Sequence, residues 1–316
     1  MDASDLLRNS LLQLSKQERI RDVIEKAPVS RAVVKRFVPG AERSDVVTAA
    51  AEMAASGRLS TIDYLGEDCL DLARAQATRD AYLSLLEGLR DQGLTENGTV
   101  EVSLKLSALG QALPDDGRKL ALEHAREICQ LAKAAGTTVT LDMEDHTTTD
   151  YTLEALGELR ADFPFVGAVV QAYLHRTEAD CRDLATAGSR VRLCKGAYKE
   201  PESVAFQAGA DVDKSYVRCL KVLMQGEGYP MVASHDPRLV EIAGALAGQA
   251  GRDPKSFEYQ MLYGIRPDEQ KRIADRGDQL RVYIPYGEEW YGYLMRRMAE
   301  KPANVMFFLR GVATKG

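Results

Sequence analysis

The chain has 316 residues, of which 45% are hydrophobic and 28% charged, a composition typical of folded globular proteins rather than disordered ones. Its 41 Lys and Arg residues and 47 Asp and Glu residues give a net charge of −6, which argues against binding nucleic acid through phosphate neutralisation. Five scattered cysteines without a C-x-x-C pair argue against a disulfide framework or a structural zinc site. They favour a reducing, cytoplasmic location.

Residues 1–57 are predicted to form a helical accessory segment. Leucines cluster at helical spacing near its start, and Ser44-Asp45 are suited to cap a helix over residues 46–55. The first twenty residues lack the uninterrupted apolar stretch of a secretory signal. The pattern changes at residue 58, so we assign residues 58–316 to a catalytic domain.

Eight short β-favouring runs follow, with helical patterns between them. The predicted strands are 59–65, 99–106, 137–143, 165–173, 189–195, 229–234, 257–262 and 280–285. Clear helical patterns, with apolar residues at i, i+3 and i+4, include 79–93, 118–136 and 237–251. Eight alternating units predict an α/β fold, a (βα)8 TIM-type barrel. A doubly wound open sheet is the alternative, but no G-x-G-x-x-G motif follows any strand.

Polar side chains lie where the predicted strands end, the place where such barrels build their active sites. They are Lys105, Asp142, Glu144, Asp145, Gln171, Arg192, Lys195, His235 and Tyr283. Any one of these charges is as readily explained by a structural ion pair, but burying several together without partners or a ligand is costly. No H-x-H or H-E-x-x-H spacing occurs, so no metal site is expected.

The adjacent pair Arg296-Arg297 lies on a predicted helix after the last strand, behind the tyrosine-rich sequence WYGY (290–293). Neighbouring helix residues project about 100° apart, so at a barrel mouth the two can approach one small anion from two sides. Their planar guanidinium groups suit a carboxylate. One arginine in a salt bridge and one in solvent is the simpler interpretation of such a pair.

The segment YGEEWYGYLMRRMAEKPAN (286–304) closely resembles the C-terminal signature of the proline dehydrogenase family, flavoenzymes that oxidise L-proline to 1-pyrroline-5-carboxylate. Further segments resemble the family in order and spacing: RFVPGA (36–41), VSLKLSALG (102–110), TLDMED (140–145), VVQAYLHR (169–176), RLCKGAYKE (192–200), VASHD (232–236) and FEYQMLYGIR (257–266). The resemblance spans roughly residues 30–310. It implies a distorted (βα)8 barrel with N-terminal helices, of the monofunctional bacterial type.

The resemblance also implies that FAD binds in the barrel mouth. By this resemblance, Arg192 would lie beside the hydride-accepting nitrogen of the flavin. Gln171 would hydrogen-bond the edge of the isoalloxazine ring, and Met143 would pack near it.

The remainder of the cofactor would follow the neighbouring strand ends. The family's pattern implies that Lys195, Gly196 and Ala197 follow the ribityl and pyrophosphate portion. Ser234 and His235 would bind the adenosine-diphosphate half. The family commonly has Thr where this chain has Ser234, so a hydroxyl is retained.

The substrate implied by the resemblance is L-proline, with its carboxylate surrounded by Lys105, Arg296 and Arg297. Three cations around one anion would leave net positive charge, which favours an anionic reduced flavin and lowers the pKa of the substrate amine. No strong general base is therefore expected.

Further residues of the substrate pocket follow from the same resemblance. Leu262, Tyr283 and Tyr293 would cover the ring. Asp142 would be catalytic together with Arg192, and would orient Lys105 or Tyr283 by hydrogen bonding. Glu67 resembles a gate residue that pairs with the first of the two arginines. Tyr283 would crowd the space that a 4-hydroxyl needs, which favours proline over hydroxyproline.

The partners implied by the resemblance are a quinone electron acceptor, the cytoplasmic face of the inner membrane and the downstream pyrroline-5-carboxylate dehydrogenase. Two other functions stay open from the residues alone. One is a class I aldolase-type barrel that uses Lys105 or Lys195 as a Schiff-base nucleophile. The other is a non-catalytic carboxylate-binding barrel.

Overall fold

The structure, a computed structural model, describes residues 34–300, with side chains through residue 297. The leucine cluster and any helices before residue 34 lie outside the described residues. The strands are β1 (Leu59–Tyr64), β2 (Val100–Leu104), β3 (Val139–Leu141), β4 (Ala168–Gln171), β5 (Arg190–Cys194), β6 (Tyr229–Ala233), β7 (Glu258–Leu262) and β8 (Leu280–Tyr286). The helices are α1 (Arg43–Ala55), α2 (Leu72–Asp91), α3 (Gly117–Ala135), α4 (Thr149–Asp162), α5 (Thr177–Leu184), α6 (Gly209–Gln225), α7 (Pro237–Gln249), α8 (Pro267–Asp275) and α9 (Trp290–Glu300). None of these described helices is both long and apolar enough to cross a bilayer.

All eight strands are parallel and form one sheet in the order β3-β2-β1-β8-β7-β6-β5-β4. Gly167, just before β4, closes the circle: its N–H donates to Val139 O (2.8 Å), and its carbonyl accepts from Leu141 N–H (2.9 Å). A Cβ at Gly167 would lie 2.9 Å from Thr140 Oγ1, so the close approach requires glycine. The predicted (βα)8 barrel is confirmed, and the open-sheet alternative is wrong.

The barrel interior is ionic rather than apolar. Glu101 is fully buried and accepts hydrogen bonds from Thr61, Thr138, Thr140 and Arg190. Burial alone would raise the pKa of Glu101, but the charges of Arg190, Arg281 and Arg192 keep it well below its usual range. The charged layer is therefore internally paired, as buried charges must be. It forms the floor beneath the barrel mouth.

The position of α1 makes the barrel atypical. Val46, Ala49 and Met53 bury one face of α1 in the main core, where the helix packs against β1 and β8. The chain before β1 thus covers the seam that the helix after β8 usually covers. α1 begins at Arg43, with Glu42 as N-cap and Asp45 as its capping-box partner, so the predicted cap at Ser44-Asp45 is wrong.

The last helix, α9, lies across the carboxyl ends of the strands. Its buried residues Tyr291, Tyr293 and Leu294 pack with Leu65 after β1 and with Phe37 before α1. This packing brings Arg296 and Arg297 to the barrel mouth. The division of the chain at residues 57 and 58 stays a prediction.

Candidate active site

Lys105 directly follows β2 and forms an ion pair with Asp63 of β1. Its Nζ lies 2.7 Å and 2.6 Å from the two carboxylate oxygens of Asp63, which is only 1% exposed. Burial would lower the pKa of Lys105, but the charges of Asp63, Asp142 and Glu67 outweigh burial and raise it. Lys105 therefore stays an ammonium cation. A Schiff-base lysine needs the opposite shift of its pKa, which argues against the aldolase hypothesis at this residue.

Asp142 follows β3 and joins three other strands. It accepts hydrogen bonds from Ser103 Oγ of β2 (2.8 Å), Arg192 Nη1 of β5 (2.5 Å) and Tyr283 Oη of β8 (2.7 Å). The predicted contact between Asp142 and Tyr283 is present. Lys105 instead takes Asp63 as its hydrogen-bond partner, because β1 lies next to β2 in the sheet.

Arg192 is 3% exposed and points into the barrel interior. Its Nε donates to Gln260 Oε1 of β7 (2.6 Å), and its guanidinium carbon lies 5.2 Å from the ring centroid of Tyr283. Burial would lower the pKa of Arg192, but Asp142 and Glu101 raise it, so the cation is retained. Its Nη2 has no hydrogen-bond partner among residues 34–297. This nitrogen lies 3.8 Å from Glu101 Oε1, so it faces the charged layer inside the barrel.

Arg296 of α9 contacts Glu67 in the loop after β1. Two hydrogen bonds join Arg296 Nη1 and Nη2 to the carboxylate of Glu67, at 3.2 Å and 2.8 Å. Burial would lower the pKa of Arg296, but the charge of Glu67 raises it. Glu67 raises the pKa of Lys105 as well, so Lys105 and Arg296 lie within electrostatic reach of one carboxylate.

Arg297 lies on the same helix, with its guanidinium carbon 5.2 Å from the ring centroid of Tyr293. Burial raises the pKa of Cys194, at the end of β5, to about 11, and the charges of Arg192 and Arg297 partly oppose that shift. Arg297 therefore acts on the β5 side of the mouth, whereas Arg296 contacts the β1 loop.

Three cations at the barrel mouth each have a carboxylate partner. Lys105 pairs with Asp63, and Arg296 pairs with Glu67. Arg192 pairs with Asp142. Of the three cations expected around the substrate carboxylate, Lys105, Arg296 and Arg297, the first two thus have a carboxylate partner already. The expected net positive charge stays a prediction.

Three further residues belong to this region; Glu144 was predicted at a strand end without a role, whereas Asp63 and Tyr198 were not predicted as site residues from the sequence. Asp63 lies within a predicted strand. Only its position two residues after Thr61, on the same face of that strand, indicates that its side chain points inward. Tyr198 follows the end of β5; burial raises its pKa, with Glu67 and Glu144 adding to the shift and Arg296 opposing it. Glu144 is buried, and its carbonyl oxygen accepts from Gln171 Nε2 (2.7 Å).

The residues assigned to the substrate ring come from three elements around the mouth. Leu262 ends β7 and is half-buried, Tyr283 lies in β8, and Tyr293 is buried in α9. Leu262 also fixes a histidine ring, because its backbone N–H donates to Nε2 of His235 (2.9 Å).

The residues assigned to the cofactor lie at the ends of β4, β5 and β6, apart from Met143, which follows β3. Gln171 ends β4, and its amide Nε2 is engaged by Glu144 O, which leaves Oε1 as an acceptor. After β5, Lys195 Nζ lies 2.5 Å from Asp213 and 3.4 Å from Asp236. Gly196 has φ +113°, and a Cβ there would lie 2.3 Å from the Tyr173 ring, so this turn requires glycine.

The loop after β6 runs directly into α7. Ser234 Oγ accepts from Asp236 N–H (3.1 Å), Asp236 is the N-cap, and Pro237 begins the helix. Because His235 Nε2 accepts from a backbone N–H, its Nδ1 is the donor of the neutral ring. Nearby, Met143 is buried and Ala197 is exposed.

Comparisons with known proteins agree on one family. The sequence model described as "Proline dehydrogenase" matches residues 46–310. The chain is 36% identical over 310 residues to proline dehydrogenase 1 of Bacillus subtilis, covering 98% of this chain and 100% of that protein. It is also 36% identical over 309 residues to the proline dehydrogenase of Deinococcus radiodurans, covering 97% and 98%.

A solved structure has the same architecture. The crystal structure of proline utilization A from Bdellovibrio bacteriovorus, inactivated by N-propargylglycine, superposes with a TM-score of 0.79 at 26% identity. The match covers 91% of this chain and 34% of that one, so this chain spans about a third of its length.

Proposed function

The chain belongs to the proline dehydrogenase family and is an oxidoreductase of proline catabolism. From this premise, we propose that it uses FAD to oxidise L-proline to 1-pyrroline-5-carboxylate. The observation that carries the proposal is the convergence of Lys105, Arg296 and Arg297 on one mouth, beside the buried Arg192. Lys105 and Arg296 are electrostatically linked through Glu67. Such a cluster suits a small carboxylate.

The described residues fit a flavin on the β4–β6 side of the mouth. Arg192 keeps a buried positive charge there, and Gln171 has an acceptor left open. The cations assigned to the substrate come from other elements: Lys105 follows β2, and Arg296 and Arg297 lie on α9. A cofactor held by β4–β6 and a substrate held by these cations would share one mouth.

We assign the carboxylate of proline to Arg296, Arg297 and Lys105, and its ring to Leu262, Tyr283 and Tyr293. The bound FAD supplies the acceptor for the hydride that leaves the ring carbon next to nitrogen. Arg192 contributes positive charge near the site where negative charge develops. Asp142 keeps Arg192 and Tyr283 in fixed orientations through its hydrogen bonds to both.

Glu67 and Arg296 together close the pocket over the substrate. Their bidentate contact joins the loop after β1 to α9, which covers the carboxyl ends of the strands. A closed pocket excludes water and strengthens the electrostatic contacts inside it.

The partners in this proposal are a quinone acceptor, the cytoplasmic face of the inner membrane and the downstream pyrroline-5-carboxylate dehydrogenase. They rest on the family resemblance. The proposed location is accordingly the cytoplasm, with peripheral contact to the membrane.

The proposal is tested by incubating the purified protein with L-proline and a soluble quinone and trapping the product as an amine adduct. We expect one 1-pyrroline-5-carboxylate formed for each quinone reduced. A lysine-linked product trapped by borohydride would instead support the aldolase alternative. Binding of proline without turnover would support the carboxylate-binding barrel.

A further inference from the structure

The loop after β1 contains the segment 66–69, here called the gate loop, which carries Glu67. Its two ends are fixed independently. Before it, Leu65 N–H donates to Tyr286 O of β8 (2.8 Å). After it, Asp71 is the N-cap of α2 and accepts from Arg74 N–H (2.8 Å). The position of Glu67 therefore depends on what fixes the middle of the gate loop.

One residue from the loop after β2, Ser107, binds the middle of the gate loop. Ser107 Oγ accepts from Asp68 N–H (3.2 Å), and Ser107 O accepts from Cys69 N–H (3.1 Å). Asp68 has φ +48°, in the left-handed region that non-glycine residues seldom adopt. A residue in that conformation persists only where its surroundings stabilise it, and these two hydrogen bonds do so.

Ser107 is in turn fixed by the buried carboxylate of Glu144. Ser107 Oγ donates to Glu144 Oε1 (2.6 Å), and Ser107 N–H donates to Oε2 (3.2 Å). The two residues are only 5% and 7% exposed. Because the hydroxyl proton of Ser107 points to Glu144, the oxygen lone pairs are left to accept from Asp68. A continuous chain of hydrogen bonds thus runs from Glu144 to the residue next to Glu67.

The outer side of the gate loop is loosely packed. A cavity of about 130 Å³ lies between the loop, α2 and the turn before α9, and Ala77, Thr78 and Glu289 contribute to its lining. The loop therefore has room to move away from the mouth. The hydrogen bonds to Ser107 oppose that movement, together with the contact between Glu67 and Arg296.

We propose that Ser107 and Glu144 are positioning residues that anchor the gate loop, so that Glu67 meets Arg296 over the bound substrate. Neither residue needs to touch the substrate. The inference rests on the proposed function only in taking proline as the substrate that the gate encloses. It predicts that loss of the anchor weakens substrate binding more than it slows chemistry.

The first test follows the backbone directly and needs no substrate. In flavin-loaded protein, Ser107→Ala should speed hydrogen–deuterium exchange of the Asp68 amide by about tenfold, as expected for losing its hydrogen bond to Ser107 Oγ. Thr137→Val is the matched control, because Thr137 Oγ1 also donates from a buried position, to Val100 O (2.5 Å) at the opposite end of the barrel. Unchanged exchange at Asp68 in Ser107→Ala would overturn the inference.

The second test is a double-mutant cycle with Glu67. Ser107→Ala and Glu67→Ala should each raise KM for L-proline about tenfold and change kcat less than about threefold. Together they should raise KM no more than Glu67→Ala alone, because both act through one closed gate. If the effects of the two substitutions on KM multiply in the double variant, the result would contradict the anchor and indicate a general structural role for Ser107.

Glu144→Gln is the conservative variant, which keeps one acceptor for Ser107 and loses the other. It should raise KM by less than Ser107→Ala does; a larger effect, or a loss in kcat with KM unchanged, would contradict the anchor. The proposed function and the anchor of the gate loop can be contradicted independently of each other. If wild-type protein does not oxidise proline, the proposed function fails, whereas the exchange experiment still decides the anchor.

Discussion

Lys105 Nζ lies nearly equidistant from both carboxylate oxygens of Asp63, at 2.7 Å and 2.6 Å, in a buried pair that joins β1 to β2 at the barrel mouth. Removing one partner of such a pair leaves an uncompensated buried charge. We predict that Asp63→Asn lowers the free energy of unfolding by about 3 kcal/mol. The change is measurable by urea denaturation of the flavin-loaded protein.

The matched control for this prediction is the double variant Asp63→Asn with Lys105→Met. Because the second change removes the orphaned ammonium, the double variant should be more stable than Asp63→Asn alone. Strictly additive losses in the two single variants would show that the pair is not energetically coupled.

The bidentate contact of Arg296 with Glu67 predicts that lysine cannot replace this arginine. Lysine keeps the charge but loses the planar fork. Arg296→Lys should raise KM for L-proline about tenfold with kcat within about threefold. Steady-state kinetics with an artificial electron acceptor provide the measurement.

Arg272→Lys is the control for Arg296→Lys. Arg272 also makes two contacts with one carboxylate, that of Glu269 (2.8 Å and 2.7 Å), but on the exposed surface of α8. Its replacement should leave both kinetic constants unchanged. Equal effects of the two substitutions would argue against a pocket-closing role for Arg296.

Tyr283 is predicted to restrict the ring of the substrate. Tyr283→Ser should raise the ratio of kcat/KM for 4-hydroxyproline to that for proline by about tenfold, because it vacates space beside the ring. Tyr283→Phe removes the hydrogen bond to Asp142 but keeps the ring volume, so the ratio should stay near that of the wild type. If the ratio rises as much in Tyr283→Phe as in Tyr283→Ser, the hydroxyl of Tyr283, rather than the volume of its ring, would be what discriminates between the two substrates.

The raised pKa of Glu144 predicts that the stability of the protein depends on pH. Burial raises its pKa from 4.5 to about 7, although hydrogen bonds from Ser107 oppose the shift. A carboxyl group with a raised pKa in the folded state holds its proton more tightly there than in the unfolded chain. Its contribution to the free energy of unfolding is therefore fully present below pH 4.5. That contribution falls as the pH rises through 7. The loss is roughly 3 kcal/mol over this window.

Urea denaturation between pH 5 and pH 8 tests this prediction. Glu144→Gln cannot ionise, so its stability should exceed that of wild type by an increasing margin as the pH rises. A margin that is constant with pH would show that Glu144 does not titrate in this range.

The fold could be predicted from the sequence because each strand carries its own β-favouring run. Every one of the eight predicted runs overlaps a strand of the barrel, but several are too long at their ends. The run 137–143 contains β3 at Val139–Leu141, and the run 165–173 contains β4 at Ala168–Gln171. The excess residues at the carboxyl ends have left the sheet to build the mouth.

The site could be predicted only in part, because strand ends identify residues but not their partners. Lys105 and Asp142 were both found at strand ends, yet Lys105 pairs with Asp63, whose inward position depends on closure of the barrel. The path from Glu144 through Ser107 to the gate loop joins three loops that are far apart in sequence. Local patterns carry no information on such pairings.

The central claim is that a carboxylate-binding cluster presents proline to a bound flavin. Anaerobic titration of the flavin-loaded protein with L-proline, followed by absorbance, tests it most directly. We predict that L-proline bleaches the oxidised flavin and that L-prolinamide, which lacks the carboxylate, does so only at far higher concentration. A flavin that stays oxidised in L-proline, or that both compounds bleach equally well, would contradict the claim.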